Sequence, residues 1–110
     1  MIFNVCPAAI TRAPADRLWE LLIDPARFEE WQQGVRLVSA TPPGKLTPGQ
    51  HIVLSAPFLA RWLRFTFDIG EIDPNRQWID LVARFPFGIV NREHITLTPA
   101  GAGETTVRFN

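Results

Sequence analysis

Apolar residues follow two different rhythms along this chain, and the change comes near Trp31. From Ala13 to Trp31 the spacing is helical. Leu18, Leu21 and Leu22 recur on one side, and Trp19 and Ile23 widen that face. Pro14 falls in the first turn, where its missing N–H costs nothing, and Asp16 places a negative charge near the positive helix end. Asp24-Pro25 is both a stop and a start. The residue before a proline is pushed out of the helical region, so the first helix ends near Ile23. Asp24 can cap a second helix with Pro25 at its first position. Phe28 and Trp31 give that second helix an apolar side. The pattern predicts two short helices joined by a hinge.

Beyond Trp31 the period is two. Residues 61–72 show it most clearly: Leu63, Phe65, Phe67 and Ile69 share one face, and Trp62, Arg64, Thr66 and Asp68 the other. Residues 77–85 alternate again through Ile79, Leu81, Ala83 and Phe85. Further strands are predicted at 2–11, 35–41, 51–56, 89–98 and 104–110. Pro57 is expected to end the run at 51–56, and Gly70 to mark a bulge. Pro7 argues for an edge or bulge in the first strand. Turn chemistry punctuates the rest, at 42–49, 73–76, 86–88 and 99–103. The order is strand, helix, helix, then six strands with hairpin-length connections. Such connections make a sheet antiparallel. An α+β domain with one strongly bent sheet satisfies the order.

Length and charge narrow the class. The 110 residues suit one domain with a real core, and 46% hydrophobic with 20% charged residues excludes a disordered chain. Eleven basic and 11 acidic residues give a formal net charge of +0, with no basic run of the kind nucleic-acid binders carry. No apolar run approaches the ~20 residues needed to span a bilayer, and the N-terminus does not read as a secretory signal. Cys6, the one cysteine, cannot form an internal disulfide and reads as a small buried or edge residue. A cytoplasmic location is the expectation.

The head of this arrangement, Pro14-x4-Trp19-x4-Asp24-Pro25-x5-Trp31, resembles that of the START-like superfamily. The group is also called SRPBCC or Bet v 1-like, and includes bacterial polyketide cyclase/dehydrase and lipid-transport proteins. The resemblance covers almost the whole chain. Residues 43–49 match the turn into the third strand, and residues 85–106 look like the late hairpin with its Gly-rich turn. It implies a helix-grip fold, a seven-stranded antiparallel sheet wrapped around a long C-terminal helix, with an apolar cavity between them for a lipid, sterol or polyketide. The 110 residues stop in the last strand. The expectation is therefore a single START-like domain over 1–110 that is C-terminally incomplete, or one whose open face is filled by another chain, as in a homo-oligomer. A bare concave sheet lined by Leu63, Phe65, Phe67, Leu81 and Phe85 would otherwise expose more contiguous apolar surface than monomers tolerate.

Candidate chemistry is sparse. The sequence has no nucleophile elbow, phosphate loop or His-Glu-x-x-His motif. His51 and His94 lack partners at ligand spacing, so no metal and no cofactor is expected. Glu93 and Asn91 share parity with Ile89, Ile95 and Leu97. If these point inward, a carboxylate on an apolar wall acquires a raised pKa and can act as general acid or base. A bulge that flips the parity, or a place at the solvated mouth, is the alternative. Trp19 and Trp31 read as packing residues, Trp62 and Trp78 as lying opposite the apolar stripes, and Phe58 with Leu59 as a gate or a loop anchor. The functional expectation is binding of a hydrophobic small molecule by Trp31, Phe58, Leu63, Phe65, Phe67, Leu81, Phe85, Asn91 and Glu93. The alternatives are a polyketide cyclase/dehydratase-type enzyme using Glu93, or a non-catalytic oligomeric partner.

Overall fold

The structure is a computed structural model that describes residues 8–32 and 34–109. Cys6, Pro7 and the start of the first predicted strand lie outside the described residues. Seven strands form one antiparallel sheet: β1 (Ala8–Thr11), β2 (Arg36–Thr41), β3 (His51–Phe58), β4 (Arg61–Asp73), β5 (Trp78–Phe85), β6 (Ile89–Gly101) and β7 (Glu104–Phe109). Their spatial order is β1-β7-β6-β5-β4-β3-β2, so every pair from β2 to β7 is sequential and β1 closes on the last strand. Between β1 and β2 come helix α1 (Ala15–Leu22) and a short helix at Pro25–Glu30.

The head folds largely as its residues dictate. Pro14 is extended (φ −66°, ψ 150°) and serves as the N-cap, one step earlier than the first-turn position expected of it. Asp24 caps the second helix, its Oδ1 accepting from the Ala26 N–H at 3.1 Å. That second helix is a 3-10 helix of six residues, tighter than an α-helix.

Pro57 does not end β3. It lies within the strand, paired with Trp62, while β2 pairs β3 only as far as Ser55. The missing donor therefore falls where no ladder partner waits. The β3–β4 hairpin turns on two residues, Leu59 and Ala60, both left-handed (φ 49° and 62°). The β4–β5 register shifts between Ile69 and Ile72, the irregularity Gly70 foretold.

The core lies between the inner face of the sheet and the two helices. Ile52, Leu54, Ile69, Ile79, Leu81, Ala83, Ile95 and Leu97 meet Trp19, Leu22 and Phe28 there. Two buried polar residues tie loops to this core. Gln50 Nε2 donates to the carbonyls of Pro42 (2.7 Å) and Gly44 (3.2 Å), holding the 42–49 loop. Thr105 Oγ1 donates to the Ala13 carbonyl at 2.7 Å, joining β7 to the start of α1.

The bare apolar face expected of the sheet is much reduced. Phe65, Phe67 and Leu81 are buried, and of the five residues named for it only Leu63 and Phe85 keep appreciable exposure. The cause is packing among the rings: Phe28 meets Phe67 at 6.3 Å, Phe67 meets Phe65 at 5.6 Å, and Phe65 stacks on Phe85 at 5.4 Å. Among the described residues, none of the helices follows β7.

Candidate functional site

The β5–β6 ladder is unbroken from Trp78↔Thr96 to Phe85↔Ile89. Leu81 faces Glu93 and Ala83 faces Asn91, so Glu93 and Asn91 lie on the inner side with two buried neighbours. A flipped parity is thereby excluded. Asn91 Nδ2 donates to Glu93 Oε1 at 2.8 Å. Burial raises the Glu93 pKa above the ordinary glutamate value, and the Asn91 hydrogen bond opposes that rise without cancelling it.

Trp31 ends the 3-10 helix and meets Phe28 edge-on at 5.4 Å. Its indole Nε1 is buried and has no hydrogen-bond partner. Two spaces adjoin this side chain. One is a narrow void of ≈ 30 Å³ shared with Leu22, Phe28, Phe67, Leu81 and Glu93, room for about one water. The other is a groove of ≈ 210 Å³ between α1 and the β1–β7 edge, lined by Thr11, Leu18, Leu21, Trp31, Val107 and Phe109. The groove is apolar, and Thr11 Oγ1, on its wall, is also buried without a partner.

The structure thus gathers Trp31, Phe67, Leu81, Asn91 and Glu93 around the narrow void or its margin. It places Phe65, Leu63 and Phe85 farther along the inner face, and Phe58 on an exposed hairpin end. Thr11, Leu18, Leu21 and Phe109 were not among the site residues expected from sequence. The available signal was α1 itself: five apolar residues in six, from Leu18 to Ile23, are more than one sheet contact can cover.

The outer face is built differently. His51 Nδ1 lies 2.6 Å from Asp68 Oδ1, and Arg84 Nε donates to Asp68 Oδ2 at 3.2 Å. These partners, His51 foremost, hold the Asp68 carboxyl below its ordinary range. His94 pairs with Asp80 and packs its ring against Trp78 at 5.1 Å. Neither histidine has a carboxylate at ligand spacing in sequence; each finds its partner across a strand pair, His51 with Asp68 and His94 with Asp80. An open depression of ≈ 470 Å³ lies beside Asp68, Gly70, Asp80 and His94. Among the described residues, no three His, Cys, Asp or Glu side chains converge in a way that could hold a metal ion, and no helix is long and apolar enough to cross a membrane.

Three solved structures share this architecture. The protein CV1439 from Chromobacterium violaceum superposes with a TM-score of 0.71 at 18% identity, covering 96% of this chain and 77% of that one. Ara h 8.0201 gives 0.65 at 16% identity, covering 96% of this chain and 76% of that one. ChR145 from Cytophaga hutchinsonii gives 0.63 at 19% identity, covering 99% and 77%. The fold is Bet v 1-like. Identities this low speak to fold and to nothing finer. No protein-family model matches the sequence, and no curated protein does either. Here the space beside the helix pair is the Trp31 groove.

Proposed function

We propose that this chain binds a hydrophobic small molecule in the groove between α1 and the β1–β7 edge, with Trp31 as its polar contact. The carrying observation is the indole N–H, buried without an acceptor beside ≈ 210 Å³ of apolar space. A buried donor left unmade costs about 1–3 kcal/mol. The N–H is covered in the empty groove, so a guest's carbonyl, ether or hydroxyl oxygen recovers that loss by drawing the indole edge into the space. An apolar cavity of about 150 Å³ accepts benzene. The groove therefore suits one aromatic ring or a short alkyl arm of a lipid, polyketide or aromatic compound. Apolar burial at about 25 cal/mol per Å² supplies most of the affinity. The same reading takes 1–110 as one START-like domain working in the cytoplasm.

Glu93 supports a second reading, a polyketide cyclase/dehydratase-type enzyme. Burial raises its pKa, which suits it to exchange a proton with a substrate carbonyl that reaches the inner face. An enzyme of this kind loses turnover in Glu93→Gln and keeps its fold and binding.

Two measurements test the binding reading. Native mass spectrometry of the purified chain is expected to show a monomer carrying a discrete small mass. A ligand-free dimer would instead mean that a second copy fills the site. Binding of 2-acetylnaphthalene and naphthalene is then compared in Trp31→Phe. The variant keeps a ring and drops the N–H, so it is expected to weaken the ketone about five- to tenfold and leave the hydrocarbon unchanged. Equal effects on both, or no uptake of either, would sink the proposal.

A further inference from the structure

One end of the sheet carries apolar side chains that internal packing does not use. The β3–β4 and β5–β6 hairpins both turn at this end, and the β3–β4 hairpin reaches past the last β4–β5 pair, Thr66↔Arg84, as far as Phe58↔Arg61. Leu59 is 82% exposed and Phe87 is 87% exposed, and Phe58 and Trp62 on the same hairpin as Leu59 are exposed too. The backbone at both apices is left-handed, with φ 49° at Leu59, 62° at Ala60 and 68° at Phe87. A two-residue turn of this hand favours Asn-Gly, and bulky residues are disfavoured in it. Solvent and backbone both argue for small polar residues, yet leucine and phenylalanine occupy the apices. Local strain that folding does not need points to a use outside the fold.

The cations at this end are Arg61 and Arg64, both exposed, and residues 51–67 contain no Asp or Glu. Arg36 adds to them, its guanidinium 4.5 Å above the Trp62 ring. Arg84 and Arg92 lie farther along the outer face among carboxylates: Asp68 is paired with Arg84, Arg92 shares the outer depression with Asp68 and Asp80, and Glu29 lines a hollow with Arg36 and Trp62.

We propose that this end of the sheet docks on an anionic lipid surface, with Leu59 and Phe87 entering the boundary between headgroups and acyl chains. Arg61 and Arg64 would then lie level with the lipid phosphates. Interfacial segments combine apolar side chains that sink into that boundary with basic residues that stay at headgroup height. Two separate apices that stand out from a sheet end match a penetrable surface better than the flat complementary area a protein partner offers. The proposal is independent of the Trp31 groove.

Flotation with vesicles of phosphatidylcholine containing about one third phosphatidylserine, beside pure phosphatidylcholine vesicles, tests it. The chain is expected to bind the anionic vesicles and to release as salt rises. The double variant Leu59→Asn, Phe87→Asn is expected to lower partitioning about a hundredfold. Its thermal midpoint should hold or rise, because asparagine accepts the left-handed region. Arg61→Gln and Arg64→Gln are each expected to cost about fivefold on anionic vesicles. Four results would overturn the proposal: binding that survives the double variant, equal binding to both vesicle types, a lowered midpoint showing that the apices are structural, or a dimer that the same variant dissociates in light scattering.

Discussion

Consecutive residues 93 and 94 sit in two different chemical worlds. Glu93 faces the helices, touches one amide, and is pushed toward its protonated form by burial. His94 faces out and pairs with Asp80; two strands away on that same outer side, Asp68 takes contacts from His51 and Arg84 and is pushed toward its ionised form. The backbone is the same pleat; only the side differs. The inner face holds its free energy in filled volume, which solvent cannot screen. The outer face holds paired charges at side-chain exposures near one half, where screening leaves little.

That contrast ranks the expected effects of substitutions. Phe28→Ala should be the largest, removing a ring that meets both Trp31 and Phe67 and costing about 3–5 kcal/mol in chemical denaturation. Next comes Gln50→Ala, which leaves the Pro42 and Gly44 carbonyls without their buried donor and should cost about 2–3 kcal/mol. A loss near zero there would mean water replaces the amide and the loop is not anchored by it.

The two carboxyls give smaller effects of opposite sign. Glu93 has a raised folded pKa, so its contribution is intact below the ordinary glutamate range and is lost as pH rises through the raised value. Glu93→Gln should therefore match the wild type in acid and exceed it near neutrality by no more than about 1 kcal/mol, since the carboxyl is only partly shielded from solvent. Asp68 has a lowered folded pKa, so its contribution is present above the ordinary aspartate range and lost as pH falls through the lowered value. Asp68→Asn should cost about 0.5 kcal/mol near neutrality and nothing in strong acid. Denaturation midpoints across pH for both variants would break the comparison if the two differences shared a sign.

Much of the fold was legible because local rules and tertiary packing agree. The Asp24-Pro25 hinge, the alternation through residues 61–69 and the turn chemistry at 73–76 each specify their element without help from distant residues. Seven strands were countable for that reason. Pro57 misled because its strand outlasts its β2 neighbour, a fact of sheet topology rather than of local preference. The inward side of Glu93 could be stated from parity, but only an unbroken β5–β6 register could establish it. The Trp31 groove was legible only as a surplus of apolar residues on α1. Its walls come from residues 11, 18, 21, 22, 31, 107 and 109, and nothing local brings Thr11 to Phe109. The same holds for the outer ion pairs, which join residues 17 and 14 positions apart.

The pairing of β1 with β7 sets a condition on how the chain can fold. Ala8 meets Arg108, and Thr105 reaches the Ala13 carbonyl across 92 positions. On a ribosome, β3 through β6 can zip hairpin by hairpin as they emerge. β1 is made first and has no sheet partner until residues 104–109 exist. Contacts this distant in sequence slow folding, since the intervening chain must be ordered before they form. β1 therefore waits unpaired until β7 has been made, and the closing pair is the step that a chaperone holding β1 would control.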